Sequence, residues 1–181
     1  MFVVPIRIRQ GVPLTLYNLY GGATQLKDFC MDMYCLGTQD YRTQPHNLTL
    51  PETLVPGMKL TIDAIAFKKQ FTMSLLDDDD NIVVFIIVYD GAMMFNCCVA
   101  PCKGLDPNNE IVLAKDSTNV MTFNEMSKFE FFYWRSSNMQ FIINDDIKFY
   151  LPIKINPGGG LTQFKKDGFL QLDYVCMKIA E

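Results

Sequence analysis

The sequence predicts an all-β domain, an antiparallel two-sheet sandwich preceded by an N-terminal extension. Three observations carry this. Strand-length segments recur from Leu60 onward, turn chemistry separates them, and helical periodicity is nearly absent. Aromatic residues make up 13% of the chain, with 14 Phe and 8 Tyr against one Trp. Phe and Tyr fit the pleated, half-buried surface of a strand.

Each element can be justified in turn. Leu60, Ile62, Ala64 and Ala66 alternate with Thr61, Asp63 and Ile65, a strand pattern, and Lys68-Lys69 reads as its turn. Phe71, Met73 and Leu75 alternate with Thr72 and Ser74 as the next strand. Asp77–Asp80 with Asn81 reads as a solvated loop, because four adjacent carboxylates repel one another. Ile82–Tyr89 is a continuous apolar run, the mark of a strand covered on both faces. Asp90-Gly91 is a hairpin turn, since glycine supplies the positive φ that primed turns need, and Met93–Ala100 returns as the partner. Beyond the loop Pro101–Asn109, strands are expected at Ile111–Leu113, Phe129–Trp134, Met139–Ile143, Ile147–Leu151 and Phe169–Ile179. Leu161–Phe164 reads as one short helical turn.

Met1–Pro51 forms the extension and residues 52–181 the sandwich. Val3–Arg9 and Val12–Tyr20 suit an extra hairpin. Leu26, Phe29, Cys30, Met33 and Tyr34 fall near helix spacing, which predicts a short helix within Thr24–Leu36 packed on the sandwich.

Composition excludes several functions. The chain has 181 residues, is 49% hydrophobic and 20% charged, and carries a net charge of −4. That composition supports a full core without disulfide or metal help. No basic stripe exists to displace counterions from phosphates, so nucleic acid is not an expected partner, and an acidic chain suits an anionic membrane poorly. The first ten residues are broken by Pro5, Arg7 and Arg9 and do not read as a signal peptide. The expected location is cytoplasmic, with nuclear entry and unconventional secretion both compatible. Free thiols are expected there. Cys97, Cys98 and Cys102 lack the paired CxxC spacing of a zinc site, so no metal and no cofactor are expected. His46 is the only histidine, no Gly-x-Ser-x-Gly elbow exists, and paired carboxylates fall only in turns. No catalytic residues are assigned, and the chain does not read as an enzyme.

Three stretches resemble the galectin carbohydrate-recognition domain. Leu54-Val55-Pro56-Gly57-Met58-Lys59-Leu60-Thr61-Ile62 with Phe71-Thr72-Met73-Ser74-Leu75 is similar to the family's opening strands. Phe129-Glu130-Phe131, then Met139-Gln140-Phe141-Ile142-Ile143-Asn144 and Phe149-Tyr150, resembles its central hairpin. Leu161 to Val175, with Asp167-Gly168-Phe169-Leu170-Gln171-Leu172, resembles its closing strand. The resemblance covers about two thirds of the chain and implies a two-sheet jelly-roll sandwich with a sugar-binding concave sheet.

The family's site uses His, Asn and Arg on one strand, Asn on the next, then Trp, Glu and a further Arg. The Trp stacks on the apolar sugar face and the polar groups read an axial hydroxyl. By that resemblance the His-x-Asn-x-Arg strand is Phe85-Ile86-Ile87-Val88-Tyr89-Asp90, and all three polar residues are gone. Asn96 takes the position of the next Asn, and Glu110 that of the Glu, as candidate ligand-binding residues. Trp134 lies on another strand and reads as a core or sheet-face residue. Either Phe85, Ile87 and Tyr89 or Ile86 and Val88 face the groove, depending on register, and the first set is taken as the candidate interaction surface. Either set makes the groove greasier than a sugar site, which suits a protein partner or a homodimer, or the Met1–Pro51 segment folded over the groove. A glycan other than an ordinary β-galactoside is the alternative ligand.

Each lost donor or acceptor costs ~1–3 kcal/mol, and several are missing. The expected outcome of an NMR titration is no saturable shift with lactose at millimolar concentration. A saturating shift overturns the reading of a lost site.

Overall fold

The computed structural model describes residues 28–32, 46–96, 110–135, 137–155 and 159–179. Ten strands follow in chain order: β1 (Asp28–Asp32), β2 (Asn47–Leu54), β3 (Met58–Asp77), β4 (Ile82–Tyr89), β5 (Ala92–Asn96), β6 (Glu110–Ala114), β7 (Met126–Arg135), β8 (Asn138–Ile143), β9 (Ile147–Pro152) and β10 (Leu161–Ile179). One 3-10 turn, Ser117–Asn119, is capped by the Asp116 carboxylate, which accepts from the Thr118 amide. Among the described residues every strand pairing is antiparallel.

Two long strands organise the rest. β3 and β10 pair with each other from Met58–Ile179 at one end to Leu161–Asp77 at the other. Along β3, Met58–Ile65 pairs with β7, while Gln70–Leu76 pairs with β4. The two halves of the ribbon therefore belong to different layers. Sheet A runs β6-β5-β4-β3-β10-β2 and uses the 70–77 half of β3. Sheet B runs β9-β8-β7-β3-β10-β1 and uses the 58–65 half. The result is a galectin-like antiparallel sandwich whose layers share two continuous strands.

Alternation fixes the core. Leu60, Ile62 and Ala64 of sheet B and Phe71, Met73 and Leu75 of sheet A are buried in one cluster, with Val84, Ile86 and Val88 from β4 and Phe129, Phe131 and Tyr133 from β7. Phe71 and Phe129 meet edge to face across the layers, ring centroids 6.4 Å apart. Phe131 and Phe141 lie 4.9 Å apart within sheet B. Such pairs add ~0.5–1.5 kcal/mol beyond their buried area. On the outer face of sheet B, Glu130 is buried and accepts from Lys59 Nζ at 2.6 Å.

Several turns form as expected. Asp90 (φ 47°) and Gly91 (φ 85°) make a two-residue primed hairpin closed by the Tyr89–Ala92 pair. Other expectations are corrected. Lys68-Lys69 is no turn: β3 continues through it, because both flanking segments stay paired to β10. Leu161–Phe164 is strand rather than helical turn, held by β2 and β3. Asp28–Asp32 is a strand, not part of a helix over Thr24–Leu36, because β10 offers it a pairing edge. The proposed hairpin Val3–Arg9 and Val12–Tyr20 lies outside the described residues. β2 spans the expected 51/52 boundary, and both β1 and β2 pair with β10. Asp77 is not solvated. It is buried, and its Oδ1 accepts the amides of Asp79 (3.0 Å) and Asn81 (2.8 Å) while Oδ2 accepts Asn81 Nδ2 (3.1 Å). It thus closes the loop whose tip, Asp78–Asp80, is exposed. Cys176 is disulfide-bonded, which corrects the expectation of free thiols throughout.

The layer change of β10 rests on Gly168. Its φ is +79°, and a Cβ there would sit 2.6 Å from the Gln70 carbonyl oxygen and 2.9 Å from Phe71 Cα. A side chain would collide with the backbone of β3 where that strand also changes layer. Beside it, Lys166 points into the sandwich. It is 1% exposed, and its ammonium donates to the Leu170 carbonyl at 2.8 Å, spanning the Gly168 kink. Gly168→Ala is expected to destabilise the domain by ~3 kcal/mol, combining left-handed backbone cost and overpacking. Thermal denaturation should show Tm falling by roughly 6–12 °C, whereas Gly57→Ala, with nothing within 4 Å of its Cβ position, should show only the backbone part.

Candidate functional site

The site grows from the register of sheet A. Ile86 and Val88 are fully buried, so alternation turns Phe85, Ile87 and Tyr89 to the outer face. This resolves the choice the sequence left open. Three cross-strand rows then follow. Lys165, Ser74, Phe85, Asn96 and Glu110 occupy one. Asp167, Thr72, Ile87, Met94 and Val112 occupy the next. Gln70, Tyr89 and Ala92 form the third. Directly opposed residues on one face of an antiparallel pair have Cβ atoms ~4.5–5.5 Å apart, so a row lists neighbours across the sheet.

All five sequence-derived candidates therefore fall on this sheet. Glu110 and Asn96 are register partners, and Asn96 is opposed to Phe85. Exposure separates them. Tyr89 is 56% exposed at the end of its strand, while Phe85 and Ile87 are half-buried between their neighbours. Asn96 is 1% exposed, so this candidate ligand residue does not present its amide to solvent. Trp134, 45% exposed, lies on sheet B under the Arg135 guanidinium, 4.8 Å from its ring centroid. It is a sheet-face residue of the other layer and takes no part here.

The rows end in a depression of about 230 Å³ where β3, β4 and β10 converge. Gln70, Thr72, Ile87, Tyr89, Asp167 and Phe169 line it. Lys68 Nζ stands 4.3 Å above the Phe169 ring. His46 Nδ1 lies 3.7 Å from the Asp167 carboxylate, both side chains well exposed. Sequence reading missed Thr72, Asp167, Phe169 and Val112 as site residues, while Met94 was noted only as suiting an adaptable contact surface. The two-residue Asp90-Gly91 turn was a usable signal for Met94, because it forces Ile87 opposite Met94. Nothing local marked Asp167 or Phe169, which arrive by pairing with a segment far away in the chain.

Among the described residues, Asp77, Asp78 and Asp79 bring carboxylate oxygens within 4.8 Å of one another. The Asp77 oxygens are engaged by their own loop. Cys97, Cys98 and Cys102 lie outside the described residues. No helix among the described residues is long and apolar enough to cross a membrane.

No family model matches the chain, and no curated protein matches it in sequence. Solved structures do. A Caenorhabditis elegans galectin, LEC-6, superposes with a TM-score of 0.62 at 16% identity, over 87% of this chain and 99% of that one. A toad ovary galectin, solved in complex with N-acetylgalactose, gives 0.58 at 16% identity over 73% and 96%. Congerin II, solved with lactose and MES, gives 0.59 at 14% identity over 73% and 98%. The fold is thus that of the galectins.

The register makes a clear stability contrast. Tyr89→Ala should change the unfolding free energy by less than ~0.5 kcal/mol, as exposed substitutions do. Ile86→Ala should cost ~2–5 kcal/mol as a core truncation. Urea denaturation of both variants checks which face of β4 is packed, and the reverse ranking refutes it.

Proposed function

We propose that this chain is a non-enzymatic binding module, and that the outer face of sheet A receives a protein partner rather than a β-galactoside. The observation that carries the reading is the composition of its middle row. Ile87, Met94 and Val112 stand side by side where sugar recognition would need donors and acceptors, and Val112 is 54% exposed. Apolar surface of this kind contributes free energy by leaving water, about 25 cal/mol per Å². It offers little to a hydroxylated ligand, whose polar groups would lose hydrogen bonds on entry. Met94 adds an unbranched, adaptable contact. Tyr89 at the rim supplies a large ring with a polar tip, the residue type that anchors interfaces.

Catalysis has little support. His46 and Asp167 form an exposed pair without a nucleophile placed beside them by any described contact. The acidic run Asp78–Asp80 is an exposed loop tip.

One observation favours a second reading, a lectin of altered specificity. The exposed Tyr89 ring borders the same depression as Gln70, Thr72 and Asp167. An aromatic face flanked by polar groups is the combination that reads a sugar ring.

Ile87→Glu and Met94→Glu would place carboxylates in the apolar row. Both should keep Tm within a few degrees and weaken partner capture from native lysate at least about tenfold, or 1.4 kcal/mol. Captured protein should persist through washes with lactose and mixed glycans. Material that elutes with a sugar makes the lectin reading the correct one. A captured species identical to the bait identifies the partner as a second copy.

A further inference from the structure

Cys176 is disulfide-bonded and fully buried, on the half of β10 that belongs to sheet B. Its partner on one side is Thr61 of β3. On the other side, the residue in register is Cys30 of β1, in the run Asp28–Lys178, Phe29–Met177, Cys30–Cys176, Met31–Val175, Asp32–Tyr174. Opposed residues of an antiparallel pair have Cα atoms ~4.5 or 5.5 Å apart, inside the 4.4–6.8 Å range that a disulfide spans. We infer that the bond joins Cys176 to Cys30 and acts as a covalent latch holding β1 on the edge of sheet B.

The placement gives the bond a task. β1 contributes five residues and has β10 as its only strand partner among the described residues. A five-residue strand docked along one side is a weak ladder by itself. With β1 in place, the 174–178 stretch of β10 is an interior strand. Without it, that stretch is an edge with unpaired amides and carbonyls, a template for a further strand. The latch therefore decides whether sheet B is closed or open on this side. It is cut by a dithiol reductant: the reductant's two thiols are oxidised to a cyclic disulfide, and two electrons and two protons pass to the bridge, leaving Cys30 and Cys176 as thiols. Oxidising compartments keep such bonds and reducing ones remove them, so the edge responds to redox surroundings.

Two measurements on the full chain test this. Alkylation and digestion without reductant, followed by mass spectrometry, should yield a linked peptide pair containing Cys30 and Cys176 that separates after dithiothreitol. Hydrogen exchange should show the 174–178 amides exchanging about tenfold faster or more after dithiothreitol, and equally in Cys30→Ser, while Cys97→Ser leaves them protected. Linkage of Cys176 to any other cysteine overturns the inference. So does unchanged protection of 174–178 in reduced wild-type protein, a readout that does not depend on whether Cys30→Ser folds.

Discussion

The antiparallel pairing of β3 with β10 is the constraint on which the remaining structure depends. Both strands run the length of the sandwich, and both change layer at the same level, where Gly168 passes against Gln70 and Phe71. Every other strand is placed by reference to this ribbon. β4, β5 and β6 build outward from one half of β3, and β7, β8 and β9 from the other. β1 and β2 attach to opposite ends of β10. The two sheets face each other because the same backbone enters both, and the core between them is continuous for the same reason.

That arrangement explains the character of the candidate surface. Sheet A needs Ile86 and Val88 inside to meet the aromatic cluster of sheet B. Period-2 alternation then leaves Phe85, Ile87 and Tyr89 outside, whatever ligand they meet. In the solved galectins of this fold, bound molecules include N-acetylgalactose and lactose. In this chain the outer face of sheet A has a hydrophobic centre with polar groups at its rim, at Gln70, Thr72 and Asp167.

Local signals made part of this legible in the sequence. Alternation identified the interior residues of β3, and Asp90-Gly91 defined the β4–β5 hairpin, because both depend on neighbours a few positions away. Decisions made by distant pairing were not legible. Lys68-Lys69 has the composition of a turn, yet the chain runs straight through because β10 pairs on both sides of it. Phe29 and Cys30 sit at helix spacing, yet they pair with Met177 and Cys176 near the other end of the chain. At the site, the all-apolar run Ile82–Tyr89 carried no polarity from which to tell its two faces apart. Asn96 was found by position in the family pattern, and position alone did not reveal that its side chain is buried.

Lys166 gives the crossing a property of its own. Its amine is enclosed against Leu170 while Lys165, one residue earlier, is exposed. Adjacent lysines therefore differ in their access to acylating reagents for as long as the strands hold together. The pair is a built-in gauge: Lys165 reports that reagent has arrived, and Lys166 reports that the layer crossing has come apart.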